Sequence, residues 1–220
     1  AQDFERERNL KAEYVYFIGC VGSYREDEAT LETLELLDRL KVDFTLIDEV
    51  CCSGVLEDVG CEIIPNLARK NMDLIFDTGA KTVITGCPYC FRTFNNKPQY
   101  AELKEKGVGV IHITQFLQNF DFPVSTALRV TYHDPCDLGR HCGIYEEPRN
   151  TIRKIAPNFV EMPDNRESAL CCGAGGGVRG AYAKNSIAMA RRRLEQAESV
   201  GAEIVLTECN SCVHNLANAK

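Results

Sequence analysis

The chain has 220 residues, 45% apolar and 26% charged, with a net charge of −7 from 25 basic and 32 acidic residues. That length allows one large domain or two small ones, each with its own core. The acidic balance argues against a nucleic-acid partner, and no apolar run reaches the ~18 residues that cross a bilayer.

Residues 14–18 form a short β-rich run ending in Gly19-Cys20, a strand feeding a loop. Residues 30–40 carry leucines at 31, 34, 37 and 40, the spacing of a helix with one apolar stripe. A strand is expected at 44–47, with Cys51-Cys52 just beyond it. Residues 63–76 read as a helix stopped by Gly79. Residues 82–85 read as a strand, after which Cys87 opens a helix with Pro88 in its first turn. The second half predicts strands at 130–132, 159–162 and 204–206, and helices at 149–155 and 181–200.

The two halves repeat one cysteine pattern. Cys20, Cys51-Cys52 and Cys87-Pro88-Tyr89-Cys90 recur as Cys136, Cys171-Cys172 and Cys209-Asn210-Ser211-Cys212, at offsets of 116, 120 and 122. Gly79-Ala80 and Gly201-Ala202 keep the offset of 122. An internal repeat of this kind implies two copies of one structural unit. Strands alternating with helices give the expected fold: α/β, two pseudo-symmetric lobes with parallel sheets flanked by helices, residues 1–124 and 125–220. The cysteines fall at the carboxyl ends of strands, the edge where open α/β sheets bind ligands.

Twelve cysteines are far more than a chain of this class needs for packing. No charged start followed by an apolar segment marks a secretory leader. Thiolate ligands in a reducing compartment are therefore expected, not disulfides. The expected location is the cytoplasm, including attachment to the inner face of a membrane within a complex. Ala1 in place of Met points to processing or to a piece of a longer polypeptide.

Thiolates suit iron–sulfide cores and zinc alike. CxxC at a helix start brings two sulfurs together, and the helix N-terminus favours the thiolate. Adjacent cysteines on extended backbone point to opposite faces, so each CC pair needs a bend, which Gly54 and Gly173 are placed to supply. Five thiolates per half exceed the four of an ordinary zinc site or cubane cluster. Cys61 and Cys142 lie outside the repeat and read as bystanders.

This pattern resembles the CCG cysteine-rich domain family, which includes the B and D subunits of heterodisulfide reductase and iron–sulfur subunits of respiratory or membrane-linked dehydrogenases. The likeness runs from Cys20 to Cys212. It includes Tyr132-His133-Asp134-Pro135-Cys136-Asp137-Leu138-Gly139-Arg140 and the glycine-rich stretch after Cys171-Cys172. The resemblance implies two [4Fe–4S] clusters of non-cubane type. One would sit on Cys20, Cys51, Cys52, Cys87 and Cys90, the other on Cys136, Cys171, Cys172, Cys209 and Cys212. It further implies an oxidoreductase that reduces a disulfide or related sulfur substrate between the clusters. The alternative is a non-catalytic electron-relay subunit; a zinc-stabilised interaction domain is a third reading. The partners implied are ferredoxin-like or flavin-containing subunits and a quinone- or haem-linked membrane subunit.

The sequence departs from the family in three places. The first copy reads Cys51-Cys52-Ser53-Gly54, the second CxxC lacks proline, and no C-x₂-C-x₂-C ferredoxin run is present. Electrons are then expected from another subunit or from further chain. His133 is placed to give a proton to a leaving thiolate, or to cap a strand end. Arg140 and His141 read as solvated surface, with attraction of an anionic substrate as the functional alternative. Residues 173–177 lack the Lys-[Ser/Thr] of a P-loop and suit close backbone approach to a cluster. Arg191 to Arg193 read as an exposed basic face or a partner contact.

Overall fold

Two successive units, dividing after Ile113, make up the chain in a computed structural model that describes residues 7–62 and 64–220. The first unit is built on β1 (Tyr14–Phe17), whose aromatic and β-branched residues suit a strand covered on both faces. The chain continues through α1 (Cys20–Tyr24), α2 (Asp27–Arg39), β2 (Phe44–Thr45), α3 (Val55–Asp58) and α4 (Pro65–Thr78). Next come β3 (Thr82–Thr85), α5 (Pro88–Asn96), a 3₁₀ turn (Pro98–Tyr100), α6 (Ala101–Glu105) and β4 (Gly109–His112). Helix α7 (Ile113–Leu117) spans the division.

The strands form one parallel sheet in the order β2-β1-β3-β4, with Val15 opposite Thr45 and Val83, and Val83 opposite Val110. Every crossover is helical, as parallel pairing requires. Val15, Phe17, Val83, Met72, Ile75, Phe94 and Leu103 fill the core, with the Phe17 and Phe94 rings edge to face at 4.8 Å.

The second unit contains β5 (Val130–Tyr132), α8 (Glu146–Ile155), a 3₁₀ turn (Arg166–Ser168), α9 (Val178–Ala181), α10 (Ala183–Ser199), β6 (Ile204–Leu206) and α11 (Asn210–Ala217). Strands β5 and β6 pair in parallel, Val130 opposite Ile204 and Tyr132 opposite Leu206. The α/β class with helix-flanked parallel strands is as the sequence predicts.

Several expectations need correcting. Cys20 opens helix α1 and is not in a loop. In α2 the inward positions are Thr30, Leu34 and Leu37, while Leu31 is exposed, so the apolar stripe is narrower than the leucines imply. Ile63, the expected start of a helix, lies outside the described residues; α4 runs from Pro65 and ends at Gly79, which takes the left-handed conformation of a C-terminal stop. The strand expected at 159–162 is reduced to a bridge between Phe159 and Val130. The long helix expected at 181–200 is α10, which starts at Ala183 after a separate short helix, α9.

Candidate metal centres

In the first unit β1 delivers the chain to a turn held by Glu49, whose carboxylate accepts the N–H groups of Ile18 (2.9 Å) and Gly19 (2.7 Å). Burial pushes the Glu49 carboxyl up to about 7, against the pull of those two bonds. Gly19 has φ +81°, and a Cβ there would lie 3.1 Å from Cys90 Sγ, so this glycine lets the backbone pass beside the sulfurs.

Cys20 Sγ stands 3.9 Å from Cys51 Sγ, and Cys52 Sγ 3.4 Å from Cys90 Sγ. Cys87 caps α5 with extended backbone, Pro88 fills the first helical position, and Cys90 follows one turn in. Cys20 is exposed, Cys51 and Cys87 are half-buried, and Cys52 and Cys90 are buried, so the sulfurs run from the interior to an accessible edge.

The bend of the CC pair falls on Ser53, at φ +59°, and its N–H points back to Cys51 Sγ at 3.4 Å. Gly54 is ordinary right-handed backbone and does not make the bend. Its glycine is required by crowding, since a Cβ there would collide with Thr93 Oγ1. In the second unit the expected glycine does bend: Gly173 has φ +83° and its N–H lies 3.3 Å from Cys171 Sγ.

The remaining second-unit geometry follows the first. Cys172 Sγ lies 3.0 Å from Cys212 Sγ, and Cys209 caps α11 in the same extended conformation as Cys87 despite lacking the proline. Cys172 and Cys212 are buried; Cys136, Cys171 and Cys209 are half-buried.

Electrostatics ties each quintet together. Cys51 is pulled down by hydrogen bonds with Cys20 and Cys52, whereas Cys20 and Cys52 are pushed up by their bonds to Cys51, and Cys90 by those to Cys52 and Cys87. In the second unit Cys171 is lowered by Cys136 and Cys172. Cys136 and Cys172 are raised by Cys171, and Cys212 by Cys172 and Cys209. Crowded thiols of this kind resist ionising together unless positive charge enters among them. Among the described residues, which include every cysteine, no disulfide forms. Thiolates on one metal ion sit about 3.8 Å apart, from metal–sulfur bonds of about 2.3 Å, a separation that Cys20 and Cys51 match at 3.9 Å. The donor set fits an iron–sulfide core.

Buried side chains fix the CC backbone, and they leave no mark in the sequence pattern. Tyr100 Oη donates to Cys52 O at 3.2 Å, and Asn71 brackets Val50 through both its amide oxygen and nitrogen. In the second unit Asn215 Nδ2 donates to Cys172 O at 2.6 Å. These residues carry no spacing signal; only their contacts reveal them.

His133 is fully buried three residues before Cys136, and its backbone N–H donates to Leu206 O. Burial, reinforced by Arg193, holds its imidazole down at about 3. Asp134 beside it receives both Nη atoms of the buried Arg149, at 2.7 and 2.9 Å, and Arg149 also binds Glu161. Arg140 is exposed but donates to Ala169 O (2.8 Å) and Glu167 O (3.2 Å), steadying the approach to Cys171; His141 is exposed. Arg191 and Arg192 are exposed, but Arg193 is fully buried and donates to His133 Nδ1, so the expected basic surface stops one residue short. Cys61 is exposed and Cys142 half-buried, both outside the two quintets. Among the described residues, no helix is long and apolar enough to cross a membrane.

A family model described as CCG, cysteine-rich domain, matches residues 14–95 and again 130–217. The chain is 35% identical to the D-type subunit of dihydromethanophenazine:CoB–CoM heterodisulfide reductase from Methanosarcina barkeri, over 96% of this chain and 54% of that relative. It is 29% identical to EtfAB:quinone oxidoreductase of Syntrophomonas wolfei, over 96% of this chain and 32% of that protein. It is also 29% identical to the B-type subunit of fumarate reductase (CoM/CoB) from Methanothermobacter marburgensis, over 90% of this chain and 40% of that one. The chain thus spans about half the length of the first of these relatives, and less of the others.

Proposed function

The chain belongs to the CCG cysteine-rich domain family, and from that premise we propose that it is an iron–sulfur redox subunit of heterodisulfide-reductase type. Each unit holds one non-cubane [4Fe–4S] cluster on its five cysteines, and the two clusters together reduce a disulfide or related sulfur compound. The observation that carries this reading is the doubled quintet: two thiol sets of the same build, each with a buried sulfur pair and a more accessible edge. Breaking an S–S bond takes two electrons and two protons and yields two thiols, and two one-electron centres match that demand.

A lone zinc ion in each unit is the poorer fit. Among the described residues the one group of three donors drawn within 4.8 Å of one another is His133, Cys172 and Cys212, and it includes only two sulfurs. Donors spread more widely than a single ion reaches suit a core of several atoms.

Within the site the chain's own residues set shape and access. Ser53 and Gly173 turn each CC pair, Tyr100 and Asn215 hold the carbonyl behind it, and Cys20 leaves the first sulfur set open to solvent. A bound cluster would supply the electrons and an iron site for a substrate sulfur. Those electrons would come from a ferredoxin-like or flavin-containing partner, or from a quinone- or haem-linked membrane subunit, in the cytoplasm or at the inner membrane face.

The test is anaerobic turnover of a panel of disulfides with a reduced viologen dye, with paramagnetic spectra recorded as thiols and disulfides are added. The expected result is thiol release at two electrons per disulfide and a cluster signal that changes with the added sulfur compound. Clusters that pass electrons with no response to any sulfur compound would establish the relay function instead.

A further inference from the structure

The two sulfur sets are alike, but what stands behind them is not. The offset of 116 that relates Cys20 to Cys136 sets Phe17 against His133. The offset of 122 that relates Gly79 to Gly201 sets Asn71, on α4, against Arg193, on α10. All four side chains are fully buried. The first unit therefore has an aromatic ring and a neutral amide where the second has an imidazole and a guanidinium.

The second pair is joined. Arg193 Nε donates to His133 Nδ1 at 3.0 Å, and Nη1 is anchored on Asp164 O and Gln196 Oε1. A guanidinium can only donate, so Nδ1 must be the acceptor nitrogen and the ring hydrogen resides on Nε2. Nε2 has no hydrogen-bond partner among the described residues, and neither has Arg193 Nη2. Buried donors are rarely left so. A ring nitrogen of His133 lies within 4.8 Å of the sulfurs of Cys172 and Cys212. The Arg193 bond also keeps a second proton off Nδ1, which suits His133 to a lasting N–H contact.

We propose that His133, with Arg193 fixing its tautomer, donates its Nε2–H to sulfur of the second-unit cluster and thereby sets that cluster's reduction potential above that of the first. This rests on the cluster reading above. A hydrogen bond to cluster sulfur stabilises the more negative, reduced state, and hydrogen bonds, charge and solvent exposure are what tune such potentials. With Phe17 and Asn71 at the equivalent places, the first unit has neither that imidazole nor that guanidinium there. The first electron to enter would then settle on the second cluster. Here His133 touches the cofactor and Arg193 is a positioning residue.

The experiment is an anaerobic redox titration of the whole chain, followed by electron paramagnetic resonance, for wild type, His133→Leu, His133→Gln and Arg193→Gln. Wild type should show two separate potentials. His133→Leu should lower one of them by at least tenfold in the redox equilibrium, about 59 mV for one electron, and leave the other in place. His133→Gln, whose amide N–H reaches a similar point, should recover most of the loss, and Arg193→Gln should lower the same potential. In ¹⁵N-histidine-labelled wild type, one centre should show a hyperfine coupling to histidine nitrogen and to an exchangeable proton. Unchanged potentials in His133→Leu with full iron content would overturn the assignment. So would the absence of that coupling in wild type, which needs no variant to fold. A wild-type chain without iron would overturn the cluster reading beneath it.

Discussion

Arg149 spends its whole fork inside the second unit: on Asp134, on Glu161 and on Tyr145 O, with its Cζ 4.9 Å from the centre of the Tyr132 ring. Asp134 is two residues from Cys136 and also accepts the N–H of Arg166 at 3.0 Å, so this ion pair fixes the turn that presents the cysteine. Removing one partner of a buried pair strands the other's charge, at a cost of about 3–5 kcal/mol. Arg149→Leu should lose that much in denaturant unfolding. Arg149→Lys should recover little of it, because an ammonium cannot serve two carboxylates with a planar fork. None of this is legible in the sequence: there Arg149 is one basic residue at the start of a predicted helix, and the pairing that buries it crosses 15 residues to Asp134. His133 is legible as a candidate by its place before Cys136, but its tie to Arg193, 60 residues on, is not.

At the scale of elements, strands β3, β5 and β6 fall where alternation and turn signals put them, and Cys87 with Pro88 opens α5 as its helix-start chemistry dictates. The turn after each CC pair is harder to read, because backbone conformation is not written in residue type alone. Ser53 takes the left-handed bend that glycine would take more readily, while Gly54 next to it is glycine for want of space. The second copy has no such latitude: a Cβ at Gly173 would meet Ser186 O at 2.7 Å. Left-handed backbone costs a non-glycine residue about 1–2 kcal/mol, and a clash with backbone adds to that. Gly173→Ser should therefore lower metal content in the second unit alone, read as loss of about half the iron. Ser53→Gly should leave iron content unchanged and stability within about 1 kcal/mol of wild type.

For the molecule as a whole, the repeat is the strongest signal in the sequence, and within each unit cysteines far apart in the chain come close, Cys20 to Cys51 and Cys52 to Cys90 in the first, Cys172 to Cys212 in the second. The cysteines are readable because their repeated spacing leaves a trace in the chain. The differences between the units are not, because Phe17 against His133 and Asn71 against Arg193 acquire meaning only once packing sets them behind the sulfurs. The central claim is that each quintet encloses one multi-iron core. Its most direct test is Mössbauer spectroscopy of the anaerobically prepared, ⁵⁷Fe-labelled chain with iron and sulfide counted on the same sample. About eight irons per chain are expected, four to a unit, with parameters unlike those of a cubane. One zinc per unit, or iron confined to one unit, would contradict it.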